Sequence, residues 1–145
     1  MMAELRKGER SGLDDVELAW PGGPFGDRLV ELVLAGTKRA TCSLLAEWES
    51  EGRELPEPGS RWALIDSAGR ERGVVETTEI RVIPIGEVDE EFALAEGEGD
   101  ENVAEWRAGH EAFWASDQPQ VEITDETMVV AERIRLVERF DIAEG

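Results

Sequence analysis

Apolar positions along this 145-residue chain change their period several times, and each change marks an element. Leu29, Leu32 and Val33 fall on one helical face from Asp27 onward, and Gly36 stands where a left-handed C-terminal cap belongs. A helix is therefore predicted from Asp27 to just before Gly36. Residues 1–24 show little periodicity past Val16 and Leu18, and the run Trp20, Pro21, Gly22, Gly23, Pro24 reads as a loose arm and loop. Residues 41–45 read as a short strand or extended turn, with one helical turn over 46–49. A polar stretch with Gly52, Pro56, Pro58 and Gly59 leads to a strand over 61–66. Ser67, Ala68 and Gly69 then make a tight reversal into a long strand over 72–83, rich in Val, Thr and Ile and ending before Pro84.

The second half repeats the alternation of helix and strand. Val88, Phe92, Leu94 and Ala95 suggest a short helix, followed by the loop Ala95-Glu96-Gly97-Glu98-Gly99-Asp100. Val103, Trp106, His110, Phe113 and Trp114 recur at intervals of three and four, a stripe that must pack on a sheet. Residues 127–140 alternate with period two and place Met128, Val130, Ile134, Leu136 and Phe140 on one face, which Glu132 interrupts. There is no internal repeat, low-complexity tail or long linker. The order helix, strand, hairpin, two helices, long strand predicts an α+β domain with a curved antiparallel or mixed sheet.

Charge narrows the partners. Fifteen basic against 34 acidic side chains give a formal net charge of -19, so extended duplex DNA meets a repulsive field. Residues 1–45 hold six basic and seven acidic side chains and residues 46–145 nine and 27, so any anion site should draw on the first third. With 41% hydrophobic residues the chain can bury a core and is not read as disordered. No apolar run approaches the roughly 18 residues that span a bilayer, and the N-terminus lacks the apolar stretch of a signal peptide, so a cytoplasmic protein without membrane partner is expected. Cys42 is the single cysteine, which precludes an intrachain disulfide and a thiolate zinc cluster.

Four features could carry chemistry. Lys38 is one of two lysines against thirteen arginines and lies in Gly36-Thr37-Lys38-Arg39-Ala40-Thr41-Cys42-Ser43, an amine and hydroxyls leaving a helix and entering a strand. A lysine can act as base or electrostatic stabiliser where an arginine cannot release its proton; the alternative is that Lys38 caps the preceding helix. The glycines of a phosphate-binding P-loop are absent. Glu96, Glu98 and Asp100 alternate in a glycine-punctuated loop, able to hold a hard cation such as Mg²⁺ or to supply a general acid/base, or simply solvated. Glu132, among apolar neighbours, is expected to pair with an internal arginine or to be turned outward by a bulge. Cys42 and His110 are not read as nucleophile and base, because His110 lies on the packing stripe and no third group is evident. Trp20 and Phe25 could stack on a base, or serve as core or lid.

Together GTKRATCSLL, GVVETTEIRVIPIGEV, AEGEGD, WRAGHEAFW and VVAERIRLVERF, in this order over residues 25–140, resemble the ASCH domain family. The resemblance implies a PUA-like β-barrel with flanking helices, an arm over residues 1–24 and the ASCH domain over 25–145. It also implies RNA binding, ribonuclease activity or deacylation of N4-acetylcytidine. The family's GxKxxT motif matches Gly36, Lys38 and Thr41, and in amidohydrolase-type members the lysine, the threonine and a loop glutamate, here Glu98, are catalytic. Phe25, Arg39, Ser43 and Glu96 are the expected substrate contacts. Ser43 stands where those members carry an arginine, and the AEGEGD and WRAGH segments look more like the larger bacterial ASCH proteins. The expectation is a nucleoside or short RNA bound in a Lys/Thr/Glu cleft, with hydrolysis of a small amide such as an N4-acylated cytidine. The alternative is a ribonuclease or a non-catalytic RNA-binding regulatory module. No cofactor is expected, and the sequence leaves a role for Mg²⁺ open.

Overall fold

In the computed structural model, which describes residues 11–14 and 23–141, the chain runs α1 (Gly23–Leu34), β1 (Ala40–Leu44), α2 (Leu45–Ser50), β2 (Arg61–Ile65), β3 (Glu71–Pro84), a 3-10 turn (Ile85–Glu87), α3 (Glu90–Ala95), α4 (Val103–Asp117) and β4 (Met128–Arg139). The strands pair antiparallel in the order β1-β4-β3-β2, giving an α+β architecture. Register shifts at Val74/Val75 and Thr77/Glu79 of β3 bend the two longest strands, and the sheet curls.

Helix α1 begins earlier than Asp27. Proline in a first helical turn loses no bond, since its missing N–H would have no partner there, so Pro24 starts the helix instead of delaying it. Phe25, expected in a loop, consequently sits in the first turn of α1. The helix closes at Gly36 (φ 78°), whose N–H donates to the Val33 carbonyl while those of Thr37 and Lys38 donate to Leu32. Residues 11–14, read as part of a loose arm, are tied to the sheet: Ala63 N–H donates to the Asp14 carbonyl at 2.8 Å, and the Ser11 hydroxyl bonds Glu71. Trp20 lies outside the described residues.

Both faces of the sheet are covered. On one, Ala40, Leu44, Val129 and Ala131 pack with Phe92, Trp106 and Trp114 of α3 and α4. On the other, Leu64, Val75 and Ile134 pack with Val30, Val33 and Leu34 of α1. Val129, Val130 and Ala131 are therefore all buried, and the single apolar face read from residues 127–140 is a strand buried on two sides, with Met128 exposed at its start. Asp89 accepts from Phe92 N–H to cap α3, and Asn102 accepts from Glu105 N–H to cap α4, each at 2.9 Å. No helix of the described residues is long and apolar enough to cross a membrane.

Glu132 does not meet the arginine expected for it. Its Oε2 accepts from the Thr77 hydroxyl at 2.6 Å, and Thr77 Oγ1 in turn accepts from Trp62 Nε1 at 3.0 Å. Indole only donates, so the direction of this chain is fixed. Burial pushes the Glu132 carboxyl up, and the single hydroxyl does not offset it.

Candidate functional site

The turn leaving α1 is clamped by backbone from two sides: Arg39 N–H donates to Ala95 O at 2.7 Å and its carbonyl accepts from Ile134 N–H at 3.0 Å. Where α3 ends, Gly97 takes φ 67° against the Thr37–Lys38 peptide, and any Cβ there would run into the Thr37 carbonyl. Only a glycine lets the acidic loop lie on the turn. The consequence is that Glu96 and Glu98, on either side of Gly97, close around Lys38.

Lys38 is almost fully buried. Its Nζ donates to Glu98 Oε2 at 2.9 Å, lies 3.4 Å from the Glu96 carbonyl oxygen and stands 4.0 Å from Glu96 Oε2. The amine thus turns to the acidic loop and not to the carbonyls of α1, so capping is not its role. From α4, His110 Nε2 lies 2.9 Å from the same Glu96 Oε2, and its Nδ1 lies 2.9 Å from the Trp106 carbonyl. Both ring nitrogens face oxygens, and beside an ionised Glu96 this arrangement favours a proton on each. Burial disfavours that charge, yet the Glu96 hydrogen bond and charge, the Trp106 carbonyl and the Glu98 charge outweigh it and raise the His110 pKa. Burial likewise opposes ionised Glu96, and the Lys38 and His110 charges prevail and hold its pKa below the ordinary value.

These groups line a cavity of about 180 Å³. Its polar wall is Lys38, Thr41, Glu96, Glu98, Asp100 and His110; its apolar wall is Phe25, Leu29, Phe113 and Trp114. The Phe25 and Phe113 rings meet at 5.9 Å, His110 stacks on Trp106 at 4.2 Å, and Trp114 approaches His110 edge-on at 5.3 Å. Cys42 also lines the cavity, but burial first and the Glu96 charge second push its thiol well above the usual range, so it is no thiolate nucleophile. Glu96, Glu98 and His110 each bring one ligand atom to within 4.8 Å of the others, a spacing that suits a cation. The cation found among them is the Lys38 ammonium.

Of the residues expected from the sequence, Lys38, Thr41, Glu98, Glu96 and Phe25 meet at this cavity. Arg39 and Ser43 do not line it: Arg39 is exposed, and the Ser43 hydroxyl accepts from Trp48 Nε1 at 2.8 Å. Asp100, singled out with the acidic loop, lines the cavity as well, whereas His110, Phe113 and Trp114 were read only as a packing stripe. The stripe placing His110 beside Trp106 and Trp114 is real, but its polar end meets the loop that precedes the same helix, a fold-back that spacing does not encode.

The sequence model of the ASCH domain matches residues 20–138, most of the chain. The chain belongs to the ASCH domain family. Two crystal structures carry the same fold. An ASCH domain from Lactobacillus crispatus JV V101 is similar at 26% identity and a TM-score of 0.75, over 85% of this chain and 79% of that one. A protein from Enterococcus faecalis V583 is similar at 28% identity and 0.73, over 81% of this chain and 72% of that one. No curated protein matches. The curled antiparallel sheet with flanking helices is the PUA-like α+β fold of ASCH domains.

Proposed function

We propose that this ASCH domain is a cytoplasmic protein that takes a single nucleobase, of a nucleoside or of an exposed RNA base, into the Lys38 cavity and hydrolyses a small amide on it, such as an N4-acylated cytidine. The observation that supports this most is the buried Lys38 amine on the half-buried Glu98 at 2.9 Å, in one cavity with Thr41 and an aromatic wall. An apolar cavity of about 150 Å³ accommodates one benzene ring, so this one suits one planar ring and not a stack of bases. Glu96, Glu98 and Asp100 outnumber Lys38 and His110 on the polar wall, which disfavours a phosphate there and favours an uncharged ring with hydrogen-bond donors.

The proton shared by Lys38 and Glu98 has two places to sit. Water excluded by a bound ring favours the neutral amine and carboxylic acid over two buried charges. The Lys38 amine then takes the Thr41 hydroxyl proton as Thr41 oxygen attacks the acyl carbon, and Glu98 gives its proton to the departing ring amine. Water attacks the resulting Thr41 ester, Glu98 accepting its proton, and the carboxylic acid leaves as Thr41 regains a proton from Lys38. The net reaction adds one water across the amide. No cofactor enters this scheme, and the Lys38 ammonium takes the place of a divalent ion.

Incubation with acylated nucleosides and short RNAs, with Mg²⁺ or with a chelator, followed by mass spectrometry, tests it. Turnover of an acylated nucleoside that survives the chelator and is abolished by Glu98→Gln with affinity kept is the expected result. Absence of turnover in the wild type, with RNA binding as tight or tighter in Glu98→Gln, would replace the hydrolase by a non-catalytic RNA-binding module.

A further inference from the structure

Lys38 is not the only cation that Glu96 serves. The Glu96 carboxylate, 1% exposed, faces Lys38 Nζ at 4.0 Å and His110 Nε2 at 2.9 Å through the same oxygen. His110 is fixed by its Nδ1 on the Trp106 carbonyl and by stacking on the Trp106 ring, so the imidazole cannot follow Glu96 elsewhere without leaving both. We infer that His110 is a positioning residue of the Lys38 site: while protonated it pins Glu96 where that carboxylate helps to hold Lys38 against Glu98, so occupancy of the site follows the charge on His110.

This inference rests on the proposed role of Lys38 but reaches a residue that no comparison assigns. The physical reason lies in the ring's two nitrogens. If His110 gives up one proton, Nδ1–H stays on the Trp106 carbonyl and Nε2 presents a lone pair to a carboxylate 2.9 Å away. Two lone pairs at that distance repel, and Glu96 must swing off or take up a proton. Lys38 then loses the second of its two carboxylates and keeps Glu98 alone. The other charged or titratable groups around His110 are Glu98 and Asp100 from the loop before α4, Lys38 from the α1–β1 turn and Cys42 from β1. On α4 itself, Arg107 and Glu111 pair with each other at 3.5 Å. Nε2 itself lies 2.9 Å from Glu96 Oε2. Because Glu96 is shared and both cations favour its ionised form, the charges of His110 and Lys38 are thermodynamically linked.

The chain makes this measurable without knowledge of any substrate, for it contains one histidine. Nitrogen-15 NMR of His110 in the full chain should show both ring nitrogens protonated at pH 7, with a midpoint above the ordinary value of about 6.5. Glu96→Gln should lower that midpoint by about one to three pH units, the range of a single neighbouring charge. Lys38→Met should shift it, because the two groups share Glu96, and Lys38→Arg, which keeps the charge, should return it towards the wild type. N4-acetylcytidine, titrated as a probe, should bind less well as pH rises through the His110 midpoint and without that pH dependence in His110→Gln. A neutral His110 at pH 7, or a midpoint that ignores Lys38→Met, would overturn the inference; so would equal pH dependence of probe binding in wild type and His110→Gln. If Glu96→Gln fails to fold, the Lys38 pair alone decides the coupling. Failure of the wild type to bind or turn over the probe counts against the proposed function, whereas the His110 titration judges the linkage by itself.

Discussion

Two glutamates in this molecule are withdrawn from water to nearly the same extent, Glu96 at 1% and Glu132 at 5% exposure, yet their acidities move in opposite directions. Burial opposes ionisation of both. Glu96 lies between Lys38 and His110 at the floor of the cavity and is held ionised. Glu132 lies between strands with only the Thr77 hydroxyl on its Oε2, and its proton is retained to higher pH. The neighbour, and not the burial, decides whether an interior carboxylate keeps its charge. The carboxylate that keeps its charge lines a cavity with other ionisable groups, while the other is a polar contact between strands.

Isosteric amides separate the two. Glu96→Gln removes one partner of a buried ion cluster and leaves Lys38 and His110 facing each other with Glu98 alone. Chemical denaturation should show a loss of about 3–5 kcal/mol at pH 7. If the loss is under about 1 kcal/mol, the contrast between the two glutamates disappears. Gly97→Ala tests the same site through its backbone: a side chain at φ 67° that also strikes the Thr37 carbonyl should cost about 2–4 kcal/mol by strain and overpacking, and should weaken probe binding as the loop lifts from Lys38.

The effect of His110→Gln should depend on pH. The folded-state pKa of His110 is raised, so its contribution is complete below the unfolded value of about 6.5 and is lost as pH rises through the folded midpoint. Wild type should therefore exceed the variant by about 1.5–3 kcal/mol near pH 6, the worth of a charged hydrogen bond, and the gap should close at alkaline pH. Glu132→Gln should give the smallest change. A raised pKa here means that ionisation destabilises the fold as pH climbs from about 4.5 through the folded midpoint, and the amide escapes that cost while still accepting from Thr77. Thermal melts should place it within about 1 kcal/mol of wild type at pH 5, and level or above at pH 8.

How much of this could be read from the residues differs between fold and site. The hairpin over β2 and β3, the helix ending at Gly36 and the Trp106–Trp114 stripe were legible because each depends on neighbours within a few positions. Lys38 was legible through its rarity among arginines and its motif, and Glu98 through the loop that resembles the family's. Glu132 was correctly singled out as an anomaly, but its partner was misjudged. Thr77 comes from another strand across a register shift, and no local pattern specifies which donor arrives there.

The sequence by itself determined the periods and the left-handed Gly36 that ends the helix before Lys38, since these follow from backbone sterics and short-range spacing. It also determined the chemistry available: one histidine, one cysteine, two lysines and an acidic loop. Only the tertiary structure decided which of these groups share a cavity. His110 lies fourteen positions after Glu96 and Lys38 lies 58 before it, and their oxygen and nitrogens meet because α3 ends against the α1–β1 turn and α4 folds back over both. Electrostatic energy depends on separation in space and on exclusion of water, neither of which is written in sequence distance, so the charge states of Glu96, His110 and Glu132 are properties of the folded chain alone.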